Sequence, residues 1–370
     1  MSSSLYSRSA IQSRLAKLRG LLQENEVDAL LVSQPENRTY LSGFTGSTGW
    51  LLISAAAALF AADFRYYDQV RLQCPDYELV KIPFSGSFTD VLPAMVKQAG
   101  VRRLGFESDH ATFANVQDWS KAATECEWMA NKGLVTGLRA VKDAEEVAAL
   151  RAAIVLADEA LAAVLPQVRP DMREVDLAWQ IESYMRTHGA ERVAFDIIAA
   201  GGTNGARPHA AASDARLPMG EPIVIDMGAR LRGYCSDLTR TICLGEPNDP
   251  PRFWAVYNTV LAAQMAAEAA IRPGMTGKQV DAVARDLIAE AGYGDYFGHG
   301  LGHGVGLAVH EEPRFSRLNE NPLPAGSVVT VEPGIYLPDW GGVRIEDVVL
   351  ITENGVEVLT AAPKEPIIAV

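Results

Sequence analysis

The chain has 370 residues, of which 48% are hydrophobic and 21% are charged, and its formal net charge is −13. That length suits two domains, and an acidic balance without clustered Lys and Arg excludes nucleic acid and anionic membranes as expected partners. No apolar run is long enough to span a membrane, and the first residues lack the apolar core of a signal peptide. We therefore expect a cytoplasmic protein, with its four cysteines reduced.

The first third of the chain alternates helical and strand patterns. A helical pattern over residues 9–26 precedes the apolar run VDALLVS, and the runs WLLISAAAALFAA, YELVKIPF and RRLGFES follow, with the helical segment SFTDVLPAMVKQA before the last. This alternation predicts an α/β domain whose sheet is covered by helices. We place its end at residue 138, because a long amphipathic helix begins after the capping residue Asp143.

The remainder, residues 139–370, mixes helices with strand pairs. Helical patterns near residues 173–188, 251–271 and 276–291 are separated by apolar runs with short turns. Helices and antiparallel hairpins in this proportion predict an α+β domain. The predicted organisation is thus an α/β domain over residues 1–138 and an α+β domain over residues 139–370.

The first hairpin of the second domain carries two acids on mostly apolar strands. PIVIDMGA contains Asp226, RLRGY forms the turn, and CSDLTRTICL contains Asp237. With the turn centred between Leu231 and Arg232, Asp226 lies directly opposite Asp237, with Cβ atoms ~5 Å apart. Two like charges at that distance repel each other unless a cation lies between them.

The segment GHGLGHGVGLAVHEEP at residues 298–313 contains three of the six histidines, His299, His303 and His310. Its glycines disfavour a helix, and glycine at such density indicates that the backbone approaches another strand or a ligand closely. A single histidine in a loop of this kind is commonly just solvated. Three together lead us to expect that at least one lies against the acidic hairpins.

A second hairpin repeats the acidic pattern, with VVTVEPGIYL and VRIEDVVLI on either side of PDWGG. With the turn centred on Asp339, Glu332 lies opposite Glu346, whereas Asp347 is expected to be an ordinary edge or turn carboxylate. Buried acids are rare unless they are paired or bind metal. Four acids and one imidazole therefore predict a site for two divalent ions, and this ligand set suits manganese, cobalt, iron or zinc better than copper.

Several motifs together resemble the creatinase/prolidase/methionine aminopeptidase superfamily of pita-bread metallopeptidases. The matching stretches, from about residue 195 onward, are FDIIAAGGTNGARPHA, VIDMGARLRGYCSDLTRT, GHGLGHGVGLAVHEEP, VTVEPGIY and GGVRIED. In the first third, DALLVSQPENRTYLSGFTGSTG and ADFRYYDQ are similar to the creatinase-type N-terminal domain. The resemblance implies a creatinase-like α/β domain followed by a pita-bread catalytic domain.

The resemblance also implies which residues hold two divalent ions, with manganese expected first and cobalt, zinc or iron as alternatives. Asp226 resembles the bidentate ligand of one ion, and Asp237 and Glu346 resemble ligands that bridge both ions. His303 and Glu332 resemble the ligands of the second ion.

Four further roles follow from the same resemblance. His209 and His310 resemble residues that hydrogen-bond the scissile peptide and stabilise the tetrahedral intermediate, and Glu332 also resembles the residue that passes a proton to the leaving nitrogen. His299 resembles a histidine that lines the proline pocket. Arg344 resembles an arginine that binds substrate or orders the residues around the metals.

The implied activity is hydrolysis of the bond before proline, by a homodimeric Xaa-Pro metallopeptidase that acts on proline-containing peptides. GFTGSTG and ADFRYYDQ favour an aminopeptidase that releases the first residue of longer peptides, and an Xaa-Pro dipeptidase restricted to dipeptides is the alternative. Creatinase itself works without metal, and relatives that have lost ligand residues serve as non-catalytic binding modules. All five ligand-type residues are present here, which argues against both of these readings.

Overall fold

The computed structural model describes residues 4–369. The chain divides into two compact units, with the division between Arg139 and Ala140. Within residues 4–369, no helix combines the length and the apolar character that crossing a membrane requires. Three cysteines, Cys74, Cys235 and Cys243, are buried as free thiols.

The first unit is an α/β domain built on one six-stranded sheet. The sheet has the order β4-β3-β2-β1-β5-β6, with the β1–β5, β5–β6 and β3–β4 pairs parallel and the other pairs antiparallel. Its strands are β1 (Ala29–Val32), β2 (Trp50–Ser54), β3 (Ala58–Ala62), β4 (Glu78–Lys81), β5 (Arg103–Glu107) and β6 (Glu127–Asn131). Its helices are α1 (Arg8–Glu24), α2 (Pro35–Ser42), α3 (Tyr67–Gln73), α4 (Phe88–Ala99), α5 (Phe113–Ala122) and α6 (Leu134–Arg139).

The apolar run WLLISAAAALFAA forms two strands because a tight turn reverses the chain at its centre. The Ser54 amide donates to the Ala57 carbonyl at 3.0 Å, and the Ser54 hydroxyl accepts from the Ala57 amide at the same distance. Strands β2 and β3 therefore pair antiparallel. Apolar side chains of the sheet, α4 and α5 form one core, so the predicted α/β domain with a covered sheet is confirmed.

Four long helices of the second unit form at the predicted places. They are α7 (Ala144–Val164), α8 (Glu174–Thr187), α9 (Pro250–Ala270) and α10 (Gly277–Glu290). The predicted cap is present as well, because Asp143 accepts from the Glu146 amide, and Thr276 caps α10 by accepting from the Gln279 amide.

The strands of the second unit form three main sheets and a separate hairpin, with the orders β11-β10-β7, β20-β12-β9-β8, β14-β13-β15-β18-β19 and β16-β17. Helices α7 and α8 share a core with β8, β9 and β12, and helices α9 and α10 share another with β15 and β18, so two helix pairs each cover a sheet. The bounds are β7 (Arg192–Val193), β8 (Ile198–Gly201), β9 (Pro222–Met227), β10 (Ala229–Leu231), β11 (Tyr234–Cys235), β12 (Leu238–Leu244), β13 (Gly302–Gly304), β14 (Glu311–Phe315), β15 (Val328–Val331), β16 (Gly334–Leu337), β17 (Gly341–Arg344), β18 (Asp347–Thr352), β19 (Gly355–Val358) and β20 (Ile367–Ile368).

The register predicted for the first acidic hairpin is wrong by one turn residue. Asp226 pairs with Thr239 and not with Asp237. The two turn residues are Arg232 and Gly233, at φ values of 51° and 78°, as in the two-residue turns that match the twist of a hairpin. Moving the turn by one residue shifts each cross-strand partner by two, so Asp237 keeps the predicted face and lies diagonal to Asp226.

The register predicted for the second acidic hairpin is confirmed. Val331 pairs with Asp347 on one side, and the β16–β17 ladder continues the same alignment on the other. Glu332 therefore lies opposite Glu346. Their amides bond to other segments, Glu332 to the Leu301 carbonyl and Glu346 to the Thr239 carbonyl, at 2.8 and 3.1 Å. The two acids thus stand at a gap in the hairpin ladder, where histidine-rich and acidic segments meet.

Candidate functional site

Three carboxylates from separate chain segments converge at the centre of the second unit. Asp226 lies in β9, Asp237 in the connection between β11 and β12, and Glu346 between β17 and β18. One oxygen of each lies within 4.8 Å of the others. Asp237 and Glu346 are buried, and Asp226 is half-buried. Three carboxyl groups at this separation, shielded from water, form a candidate site for cations.

His303 and Glu332 complete the cluster on its other side. The His303 Nε2 atom lies 3.2 Å from a Glu332 oxygen and 3.6 Å from an Asp237 oxygen. Its Nδ1 atom lies 3.1 Å from the Gly304 carbonyl, and since a carbonyl only accepts, Nδ1 carries the proton. The Nε2 atom of His303 therefore faces the carboxylates, which is the orientation of a metal-ligating histidine.

The charges of the cluster oppose one another in the absence of a cation. Burial, followed by repulsion from neighbouring carboxylates, raises the pKa of both Asp237 and Glu346 well above the ordinary range. Burial also acts to raise the pKa of Glu332, but His303 and the other nearby positive groups outweigh it and lower this pKa to about 2. A bound cation would remove the repulsion that keeps protons on the first two groups.

Two buried oxygens of the cluster have no hydrogen-bond partner among residues 4–369. They are Asp226 Oδ1 and Glu346 Oε1. Buried carboxylate oxygens without a donor are unusual, because the desolvation is not compensated. Both belong to carboxylates whose oxygens lie within 4.8 Å of one another, and bound cations would satisfy them, so the residues present suit the divalent metals that the sequence predicted.

Arg344 is fully engaged within the cluster. It is buried, and its guanidinium donates to Asp226 Oδ2 at 2.5 Å, to the Tyr336 hydroxyl at 2.8 Å and to Thr239 Oγ1 at 3.1 Å. A further bond of 3.3 Å reaches the Pro208 carbonyl. Each of its three nitrogens thus donates within the protein, and the arginine orders one metal-site carboxylate.

Tyr336 joins Arg344 to His299, and nothing in the sequence pattern predicted this. Because its hydroxyl accepts from Arg344, its proton is donated to His299 Nε2 at 2.9 Å. His299 Nδ1 donates to the Gly300 carbonyl at 2.8 Å. Both ring nitrogens of His299 are satisfied, so this residue offers the cavity an imidazole ring and no free hydrogen-bonding atom.

Behind the cluster, Asp347 is a buried structural acid and not the edge or turn carboxylate that we expected. It lies in β18, an interior strand of its sheet, is 1% exposed, and accepts from Arg240 at 2.7 Å. Arg240 also donates to the Glu346 carbonyl at 2.5 Å, and Thr239 Oγ1 donates to Glu346 Oε2 at 2.7 Å. These contacts fix both the backbone and the carboxylate of Glu346.

A cavity of about 850 Å³ opens over the cluster. His209 and His310 lie at its exposed edge, and the His310 ring contacts the His303 ring edge-on at 4.4 Å. Burial, followed by repulsion from His303, lowers the pKa of His310 to about 4. The cavity brings together every site residue predicted from the sequence: His209, Asp226, Asp237, His299, His303, His310, Glu332, Arg344 and Glu346.

The same cavity contains a second arginine, which is not among the site residues predicted from the sequence. Arg314 lies in β14 directly opposite His303, so both side chains project from the same face of the sheet. It is half-buried, and across residues 4–369 its guanidinium makes no hydrogen bond or ion pair. Its place four residues after His310 was the available signal, since a short strand brings both to one site.

A buried cluster of acids with one histidine, under a peptide-sized cavity in an α+β unit, defines a metal-dependent hydrolase. The profile of metallopeptidase family M24 matches residues 148–353, and the creatinase/prolidase N-terminal domain matches residues 14–141. The chain belongs to metallopeptidase family M24. The predicted family, its pita-bread fold and the expected enzyme class are thereby confirmed.

Relatives and solved structures match over nearly the whole chain. An uncharacterized peptidase of Bacillus subtilis, YqhT, is 42% identical, and the match covers 96% of this chain and 99% of the length of that peptidase. The structure of an Xaa-Pro dipeptidase from Bacillus anthracis has a TM-score of 0.93 at 40% identity, and the match covers 97% of this chain and 100% of the dipeptidase. The structure of an X-Pro aminopeptidase from Thermotoga maritima has a TM-score of 0.87 at 39% identity, and the match covers 96% of this chain and 100% of the aminopeptidase.

Proposed function

We propose that the protein hydrolyses the peptide bond before proline, as a metal-dependent Xaa-Pro peptidase. The observation that carries this proposal is the cavity in which five potential metal ligands lie beneath two histidines and beside a histidine without free nitrogens. The substrates in the names of the Bacillus anthracis and Thermotoga maritima proteins support the same class.

We infer that the cluster holds two divalent ions, manganese before cobalt, zinc or iron. Asp226 would bind one ion, His303 and Glu332 the other, and Asp237 and Glu346 both. When bound, such ions activate water and polarise the scissile carbonyl. Oxygen ligands with a single imidazole suit these metals.

The protein's own groups would handle the peptide and the proton. His310, neutral at pH 7 because of its low pKa, would hydrogen-bond the scissile peptide together with His209. Glu332 would take a proton from the attacking water and deliver it to the proline nitrogen, which has no N–H of its own. His299 would provide a wall for the proline ring, since its two nitrogens are already bonded.

On substrate length, we propose a dipeptidase. In an Xaa-Pro dipeptide the proline carboxylate is a free charge close to the scissile bond, and a cation next to it favours binding. All three nitrogens of Arg344 already donate within the protein and its charge is paired with Asp226, whereas Arg314 is unpaired in the same cavity. The aminopeptidase favoured by the N-terminal motifs is the second candidate, and the Thermotoga maritima relative supports it.

The test compares Xaa-Pro, Xaa-Pro-amide and Xaa-Pro-Yaa substrates side by side with added manganese. A dipeptidase cleaves the first at least about tenfold more efficiently than the other two, which corresponds to about 1.4 kcal/mol. Equal or better cleavage of the tripeptide would establish the aminopeptidase, and cleavage of none would refute both. The expected homodimer and the cytoplasmic location remain predictions, and sedimentation analysis of the purified protein tests the first.

A further inference from the structure

We infer that Glu174 is a positioning residue that holds His209 at the edge of the cavity. This inference rests on the proposed function, because it assigns His209 a contact with substrate. Glu174 is the first residue of α8 and is 1% exposed. It lies outside the cavity and outside every motif that the sequence analysis connected with the site.

The Glu174 carboxylate binds both ends of the segment that carries His209, here called the His209 loop (residues 202–212). Oε1 accepts from the Gly201 amide at 2.8 Å, immediately before the loop. Oε2 accepts from the Ser213 amide at 2.9 Å and from its hydroxyl at 2.6 Å, immediately after the loop. A single buried side chain therefore closes an otherwise irregular segment.

Glu174 also bonds to a residue inside the His209 loop, Asn204. Its Oε2 accepts from Asn204 Nδ2 at 2.7 Å, and the same Asn204 nitrogen donates to the Ala211 carbonyl at 3.1 Å. On the side of the cavity, Pro208 is held through its carbonyl by Arg344. His209 thus lies between two anchored points, one fixed by the metal-site arginine and the other by Glu174 through Asn204.

The imidazole of His209 has no anchor of its own. Within residues 4–369 its side chain makes no hydrogen bond and it is exposed, so its position follows from the backbone of the loop. The four donors around Glu174 need an acceptor on both oxygens, which a carboxylate provides and an amide does not. In the Glu174→Gln variant, the new NH₂ group is itself a donor, so the N–H or O–H groups that bonded to the replaced oxygen lose their acceptor. We expect the His209 loop to loosen as a result.

The experiment uses Glu174→Gln in the full-length, manganese-loaded protein. Glu182→Gln is the matched control, because Glu182 lies on the same helix and pairs with Arg186 at 2.6 Å, away from the His209 loop. Each change is made in the wild-type and in the His209→Ala background, and kcat and KM are measured with the best Xaa-Pro substrate. Hydrogen exchange of residues 202–215 and metal content are measured on the same preparations.

If Glu174 acts through His209, Glu174→Gln lowers kcat about 30-fold with little change in KM, since displacement of a catalytic contact by about 1 Å has effects of up to about 100-fold. In the His209→Ala background the same change should lower kcat less than about threefold, because the two effects are not additive. Exchange of residues 202–215 should accelerate while metal content stays constant. Glu182→Gln should change none of these quantities.

An unchanged kcat for Glu174→Gln, or the full loss repeated in the His209→Ala background, would overturn the inference. If Glu174→Gln does not fold, Ser213→Ala removes one donor and leaves the buried carboxylate in place, and a loss of about threefold that disappears with His209→Ala is expected. Additive loss would again overturn it. A wild-type protein without Xaa-Pro activity refutes the proposed function instead, and hydrogen exchange then still decides whether Glu174 holds the loop.

Discussion

Replacing Arg314 with methionine should separate short substrates from long ones. Arg314 projects into the cavity from the strand position opposite His303 and has no partner within the described part of the chain. Methionine keeps most of the length and volume of the side chain but removes the charge. The variant therefore tests whether this guanidinium recognises the carboxylate of an Xaa-Pro dipeptide.

The magnitude follows from the surroundings of Arg314. A hydrogen bond between charged groups contributes about 1.5–3 kcal/mol when partly buried. Arg314 is half-buried, and in the free protein it gives up no competing ion pair when substrate binds. A loss of about 2 kcal/mol corresponds to a decrease of about 30-fold in kcat/KM for the dipeptide.

The assay measures kcat/KM for Xaa-Pro and for Xaa-Pro-amide, which lacks the carboxylate. Arg314→Met should lower the first about 30-fold and the second less than about threefold. Arg317→Met is the control, because Arg317 is exposed in the same segment and does not line the cavity. Equal losses for both substrates, or no loss for the dipeptide, would refute the role of Arg314 as the carboxylate contact.

Three further predictions concern the metal cluster. Glu346→Gln should abolish activity and lower metal content, since an amide cannot bridge two cations with the same charge. His110→Ala, outside the second unit, should leave both activity and metal content unchanged, and equal turnover by the two variants would contradict the assignment of Glu346 to the metal site. Cys235→Ser should retain full metal content, because its buried thiol lies 3.8 Å from the Leu307 carbonyl and not among the carboxylates; metal loss would require another ligand set. In the metal-free protein, Asp237 and Glu346 have folded-state pKa values raised mainly by burial, so the native state holds more protons than the unfolded state and stability falls as pH rises. The contribution of these two groups should therefore lower the Tm as pH rises above the ordinary pKa of a carboxyl group, and manganese should reduce this dependence; identical profiles with and without metal would refute the role of the two carboxyls.

The acids of the site were predictable from the sequence because strand alternation places them on defined faces, whereas the individual histidines followed only from the resemblance of their motifs to the family. The second hairpin register followed from the turn alone. The first did not, since Arg232 adopts a positive φ that non-glycine residues seldom adopt, and this moved the turn by one residue. Both acids nevertheless reached the cluster, because a shift of two residues preserves the strand face.

The residues that orient the ligands were not predictable, because their roles depend on contacts between distant segments. In the sequence, Tyr336 has the pattern of an ordinary strand tyrosine, and only the fold brings Arg344 and His299 to its hydroxyl. Glu174 reads as a helix-start acid, yet its partners lie 27–39 residues further along the chain. Local patterns give no information on such pairings, which only the tertiary fold creates.

Metal stoichiometry measured together with Xaa-Pro hydrolysis tests whether the carboxylate cluster is a catalytic site for two metal ions. The chelated protein is titrated with manganese while bound metal and kcat/KM for an Xaa-Pro dipeptide are followed in the same samples. The five ligands predict saturation at about two ions per chain, with activity absent before metal is added and restored as the sites fill. A metal content near zero with peptidase activity intact after exhaustive chelation would show that the cluster is not a catalytic metal site.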